Sequence, residues 1–140
     1  MNAEFHLRLA GSLQIALAFL HLFFPRRFNW NEELARLSLL NRQIFLVHTF
    51  YICLVLMLIG ALSLFAPSAL LLPSPLARFV LAGFAIFWGS RLIFQWAVYD
   101  RALWKGNRFN TAMHYLFSLL WAYLAAVYAW IWIGMVRSGL

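Results

Sequence analysis

Two histidines, one arginine and one glutamine stand where an apolar chain has little use for them. In "LNRQIFLVHTFY", Asn41, Arg42 and Gln43 mark the threshold of an apolar run and His48 lies inside it. "RLIFQWAVYDR" carries Arg91 and Gln95, and "NTAMHYLF" carries His114. Imidazoles can ligate a haem iron or move a proton, a guanidinium clamps an anion, and a side-chain amide can bond a carbonyl. If these groups meet, they make a cofactor or ligand site. If they do not, each histidine is simply a partner for a neighbouring helix.

The elements that must position them are four apolar runs at 7–24, 44–66, 79–98 and 111–136. Of the 140 residues 65% are hydrophobic and 11% charged, far too apolar for a soluble domain of this size. Each run approaches or exceeds the roughly 17–25 residues that cross about 30 Å of hydrocarbon at ~1.5 Å per residue. None shows the period-two alternation of a barrel strand. Backbone satisfaction in lipid then leaves helices. The expectation is an all-α integral membrane protein, a single domain over 1–140, built as an up-down-up-down four-helix bundle.

The first run reads as a retained span, because its apolar core is long and "FFPRRFNW" follows it where a cleavage signal would stand. Between spans one and two, "NWNEELARLSLL" predicts a short amphipathic interfacial helix over about 30–40. Asn29 or Asn31 would cap it, with Glu32 and Glu33 in its first turn. Ser74-Pro75 is a helix start, and Gly106-Asn107 a break. Cys53, the only cysteine, sits mid-span, so neither an internal disulfide nor a thiolate cluster is expected.

The basic residues orient the chain. Arg26, Arg27, Arg36, Arg42, Arg101, Lys105 and Arg108 fall in the 25–43 and 99–110 connections; Arg8, Arg78 and Arg137 lie on the opposite face. The positive-inside rule assigns those connections to the cytoplasm and both termini to the outside, the periplasm in a bacterium. The net charge of +7 then implies anionic lipid headgroups at a cytoplasmic rim, and no nucleic acid.

Depth brings the polar residues together. Counting inward at ~1.5 Å per residue, His48 and His114 lie about 5–6 Å inside, Gln95 about 5 Å and Arg91 about 10 Å, with His21 near the same end of span one. Asn41, Phe45, His48 and Ile52 share one helix face, as do Trp88, Arg91, Gln95 and Tyr99 on span three, and Asn107, Asn110, His114 and Phe117 on span four. Tyr51, Tyr115 and Thr49 are flanking donors. Arg91 facing lipid is costly, so it should point inward or reach the interface. The Trp and Tyr residues near the span ends, Trp104 among them, read as an ordinary aromatic belt.

The candidate site is therefore a cytoplasm-facing pocket of His48, Arg91, Gln95 and His114, rimmed by Asn41 and Arg42. The four acids, Glu4, Glu32, Glu33 and Asp100, lie outside the bilayer or at its edge. A bare divalent metal beside Arg91 and a di-iron carboxylate centre are both unfavourable on that count. Haem b is the leading cofactor candidate, with His48 and His114 as axial ligands and Arg91, Arg42 or Arg108 on the propionates. An anion or anionic headgroup on Arg91 and Gln95 is the second ligand, and a quinone a variant of it. Two alternatives stand beside ligand binding. One is an accessory subunit partnered by other membrane subunits. The other is a small lipid-handling enzyme or transporter using a histidine as acid or base and Arg91 as clamp.

Overall fold

The computed structural model describes residues 2–138, which are mainly helical, with no strand among them. Four long helices dominate: α1 (Ala3–Leu20), α2 (Leu39–Phe65), α3 (Pro75–Ala97) and α4 (Arg108–Arg137). α1 continues through a 3-10 turn, His21–Phe23, and a helical turn, Phe24–Arg27. All four are long and apolar enough to cross a membrane. The chain is a multi-pass integral membrane protein of the all-α class, as its composition implies.

Polar side chains open each long helix. Asn2 Oδ1 accepts from the backbone N–H groups of Glu4 and Phe5. Ser38 accepts from Asn41 N, Ser74 from Ala77 N, and Asn107 from Asn110 N. These caps satisfy first-turn donors that the helix itself leaves unpaired. They also explain why the helices start at Ala3, Leu39, Pro75 and Arg108, upstream of apolar runs that begin at 7, 44, 79 and 111. Hydropathy marks the hydrocarbon segment, whereas the cap marks the helix.

The interfacial helix spans Trp30–Ala35, shorter than the pattern suggests, because Ser38 hands Leu39 and Leu40 to α2. Asn29 precedes it at φ 49°, a left-handed conformation that asparagine tolerates better than most residues. Its carbonyl accepts from Glu32 N and Glu33 N. Its side-chain amide bonds Glu32 Oε2 at 2.7 Å instead of a backbone group.

The chain divides into two compact units, residues 7–67 and residues 2–6 with 68–138. In the first, α1 and α2 approach at Gly11 and Gly60. A Cβ added to Gly11 would lie 2.6 Å from the Gly60 carbonyl oxygen and 2.6 Å from Leu64 N, so the contact is backbone against backbone. Such close approach is how small residues hold membrane helices together. Arg8 Nη1 donates to the Leu64 carbonyl at 3.0 Å on the same pair.

In the second unit, α3 and α4 run antiparallel through a ladder of ring contacts. Phe84 meets Tyr128 at 5.2 Å, and Trp88 stacks on Trp121 at 5.1 Å with planes 11° apart. Both helices repeat at three and four residues, so the same faces meet again seven residues, or two turns, further on, where Gln95 reaches His114. Trp88 and Tyr128 are fully buried. At the start of α1, His6 Nδ1 lies 3.1 Å from Tyr123 Oη.

Candidate functional site

Three of the sequence-selected residues come together in the second unit. Trp88, Arg91 and Gln95 line one face of α3, Tyr99 follows just past the helix end at Ala97, and α4 faces them with His114, Phe117 and Trp121. Arg91 Nη1 donates to Gln95 Oε1 at 3.1 Å, and Trp121 Nε1 approaches the same oxygen at 3.4 Å. On the other side of the amide, Gln95 Nε2 lies 3.0 Å from His114 Nδ1.

These contacts fix the proton on His114. Arginine and indole nitrogens only donate, so the atom between Arg91 and Trp121 must be the amide oxygen. The amide nitrogen then points at His114 and donates, which makes Nδ1 the acceptor. A neutral imidazole with Nδ1 accepting carries its hydrogen on Nε2. That Nε2–H is buried with no hydrogen-bond partner among the described residues, and His114 as a whole is 5% exposed. An orphaned buried donor costs about 1–3 kcal/mol.

A second orphan lies beside it. The Trp104 ring stacks on His114 with centroids 4.3 Å and planes 10° apart, and Trp104 Nε1 is likewise buried without a partner among the described residues. The connection between α3 and α4 holds that ring in place. Asp100 Oδ1 caps the Arg101–Leu103 turn through Ala102 N. Gly106 turns the chain at φ 88°, a conformation that costs glycine little. Asn110 Nδ2 bonds the Leu103 carbonyl at 2.9 Å, and Thr111 Oγ1 bonds the Trp104 carbonyl at 2.6 Å. Trp96 meets His114 edge-on at 4.7 Å, and Tyr115 completes the aromatic surround.

The charge of Arg91 stays within this unit. Its guanidinium sits 5.0 Å from the Trp121 ring centroid and 5.5 Å from that of Tyr99, each a favourable cation–π distance. Asp100 has its own task as the turn cap.

His48, Asn41 and Arg42 belong to the first unit. His48 is exposed, and its Nδ1 lies 2.8 Å from the Ile44 carbonyl. A carbonyl only accepts, so a neutral His48 carries its proton on Nδ1 and a lone pair on Nε2. His21 does the same on the Leu17 carbonyl at 2.7 Å. These three histidines thus divide into two kinds: His114 offers a donor, whereas His48 and His21 offer acceptors. Asn41 is exposed and its backbone N–H is taken by Ser38. Arg42 lines a groove of about 400 Å³ with Trp30 and Leu34. Thr49 bonds back to the Phe45 carbonyl, and Tyr51 packs against Phe50.

Sequence reasoning left out Trp121 and gave Trp104 only a belt role. Trp121 was open to discovery, since it lies seven residues from His114 and so shares its helix face. Trp104 was not, because its position depends on the folded 98–107 connection. Among the described residues no three of His, Cys, Asp and Glu come together. No protein-family model, curated protein or solved structure matches the chain.

Proposed function

We propose that the α3–α4 unit binds a lipid-soluble ligand through a neutral acceptor oxygen, a quinone or similar carbonyl compound, in the half of the membrane that the basic residues assign to the cytoplasm. The observation that carries this reading is the orphaned Nε2–H of His114, whose protonation Gln95 dictates. Trp104 Nε1 offers a second donor from the ring stacked on it. One carbonyl oxygen has two lone pairs, which matches two N–H groups. Arg91 is already engaged by Gln95 and two aromatic rings. The free recognition groups are therefore neutral donors, which favours a carbonyl over an anion. Aromatic walls from Trp96, Trp104 and Tyr115 suit a flat ring.

Haem b fits the α4 histidine less well. An axial histidine needs a lone pair on the nitrogen facing the iron, and usually donates its other N–H to an acceptor. His114 has the reverse arrangement. His48 retains the form a ligand needs, so the haem reading survives only with a different partner for it. We read the arrangement as a binding site.

The test is a titration of the purified chain in nanodiscs with decylubiquinone, read by quenching of tryptophan fluorescence. Saturable quenching that His114→Phe removes and His48→Ala preserves is the expected result. Equal binding by His114→Phe would sink the reading. An absorption spectrum of protein from haem-replete cells is the companion measurement. A stoichiometric Soret band lost in His48→Ala would put haem back in first place.

A further inference from the structure

We propose that the groove between the interfacial helix and the start of α2 seats the headgroup of an anionic glycerophospholipid, with Arg42 on its phosphate. This rests on atoms separate from the α3–α4 site. The groove lies wholly within the first unit and has a volume of about 400 Å³. That is within the roughly 300–1,000 Å³ of small-ligand sites, enough for a headgroup and the start of one acyl chain.

Its lining is divided by chemistry. Arg42, Gln43 and Asn31 supply one cation and two side-chain amides, while Trp30, Leu34 and Leu39 supply an apolar wall. A phospholipid has the same division at its glycerol, where charged phosphate gives way to hydrocarbon. Arg42 lies in the first turn of α2, where the chain passes from polar residues into its apolar run. Trp30 meets Phe45 edge-on at 4.8 Å, which ties the interfacial helix to α2 and keeps the groove's two walls together.

Charge completes the match. The 25–43 segment carries Arg26, Arg27, Arg36 and Arg42 against Glu32 and Glu33, and Asn29 draws the Glu32 carboxylate to itself. The balance is positive, and Arg42 is the cation in the lining. An arginine holds a phosphate by two parallel hydrogen bonds. A zwitterionic lipid offers the same phosphate with a cation attached, so the site should discriminate by headgroup charge.

The experiment is native mass spectrometry of the full chain released from detergent micelles containing equal amounts of dioleoyl phosphatidylglycerol and dioleoyl phosphatidylcholine. The expected result is one retained phosphatidylglycerol. Arg42→Gln should lower the retention ratio of the two lipids at least fivefold, Trp30→Ala should lower it too, and Arg42→Lys should keep part of it. Arg101→Gln, a change at a rim arginine outside the groove, should leave it unaltered. Circular dichroism of each variant verifies that the helices persist. An unchanged ratio in Arg42→Gln overturns the proposal, as does an equal fall in Arg101→Gln, which would mean diffuse attraction. Equal retention of both lipids overturns it as well, and so does a Trp30-dependent dimer carrying no lipid, which would make the groove a contact between chains.

Discussion

The indole of Trp104 lies flat on the imidazole of His114, planes 10° apart, and each ring holds a buried N–H that nothing among the described residues accepts. Two stacked rings thus each present a donor that calls for an acceptor. In a bilayer interior that demand is harder to meet than in water, where solvent would supply the oxygen.

Gln95→Glu tests the origin of the donor. A carboxylate has no hydrogen to give His114 Nδ1, so the imidazole should move its proton to Nδ1 and leave a lone pair on Nε2. Nitrogen-15 NMR of histidine-labelled protein should show the protonated nitrogen switching. Decylubiquinone affinity should fall about tenfold, equivalent to ~1.4 kcal/mol, the scale of one hydrogen bond. Retention of the Nε2–H form would overturn the assignment of the amide.

Trp104→Phe separates the ring from its N–H. Phenylalanine keeps a flat face for His114 but has no donor, so the variant should stay folded and bind the quinone several-fold more weakly. Affinity equal to the parent's would remove Trp104 Nε1 from the site.

Thr111→Val asks whether the connection positions Trp104. It deletes the 2.6 Å bond to the Trp104 carbonyl and is nearly isosteric. A loss of about 1 kcal/mol in stability is expected, together with a shift of the Trp104 emission towards that of a solvated indole. An unshifted spectrum would show that Asp100 and Asn110 hold the connection without Thr111.

Gly11→Ala addresses the other unit. The new methyl would lie 2.6 Å from two backbone atoms of α2, and backbone has little room to yield. Overpacking of this kind costs about 1–3 kcal/mol. Gly83→Ala, where a Cβ meets nothing within 4 Å, should leave the melting temperature in detergent unchanged. Equal behaviour of the two variants would deny that the α1–α2 approach is tight.

Much of the fold was open to inspection in the sequence, because lipid leaves a helix so few options. The four runs gave the spans, and Ser74-Pro75 gave a helix start that the structure repeats. The short interfacial helix was overextended, since Leu39 and Leu40 continue its apolar pattern while Ser38 quietly begins the next helix. At the candidate site, helical periodicity sufficed to pair Arg91 with Gln95. Depth counting brought Gln95 to the level of His114 across two helices. What periodicity lacks is the identity of the proton: the donor character of His114 follows from Trp121 and Arg91 sharing one amide oxygen, a three-body relation. Trp104 arrives through a folded turn, for which no repeat in the sequence is a guide.

The lodging of Arg91 between Tyr99 and Trp121 bears on how the chain is made. A lone arginine deep in a span costs about 2.5–3.5 kcal/mol on insertion scales, and Trp121, one of the rings that shelters it, lies in a helix not yet synthesised when α3 emerges. The connection of ten residues between Ala97 and Arg108 lets α4 follow closely. α3 and α4 are thus suited to leave the insertion machinery as one hairpin, and a ribosome stalled between them should hold α3 at the protein-lined exit, short of the lipid.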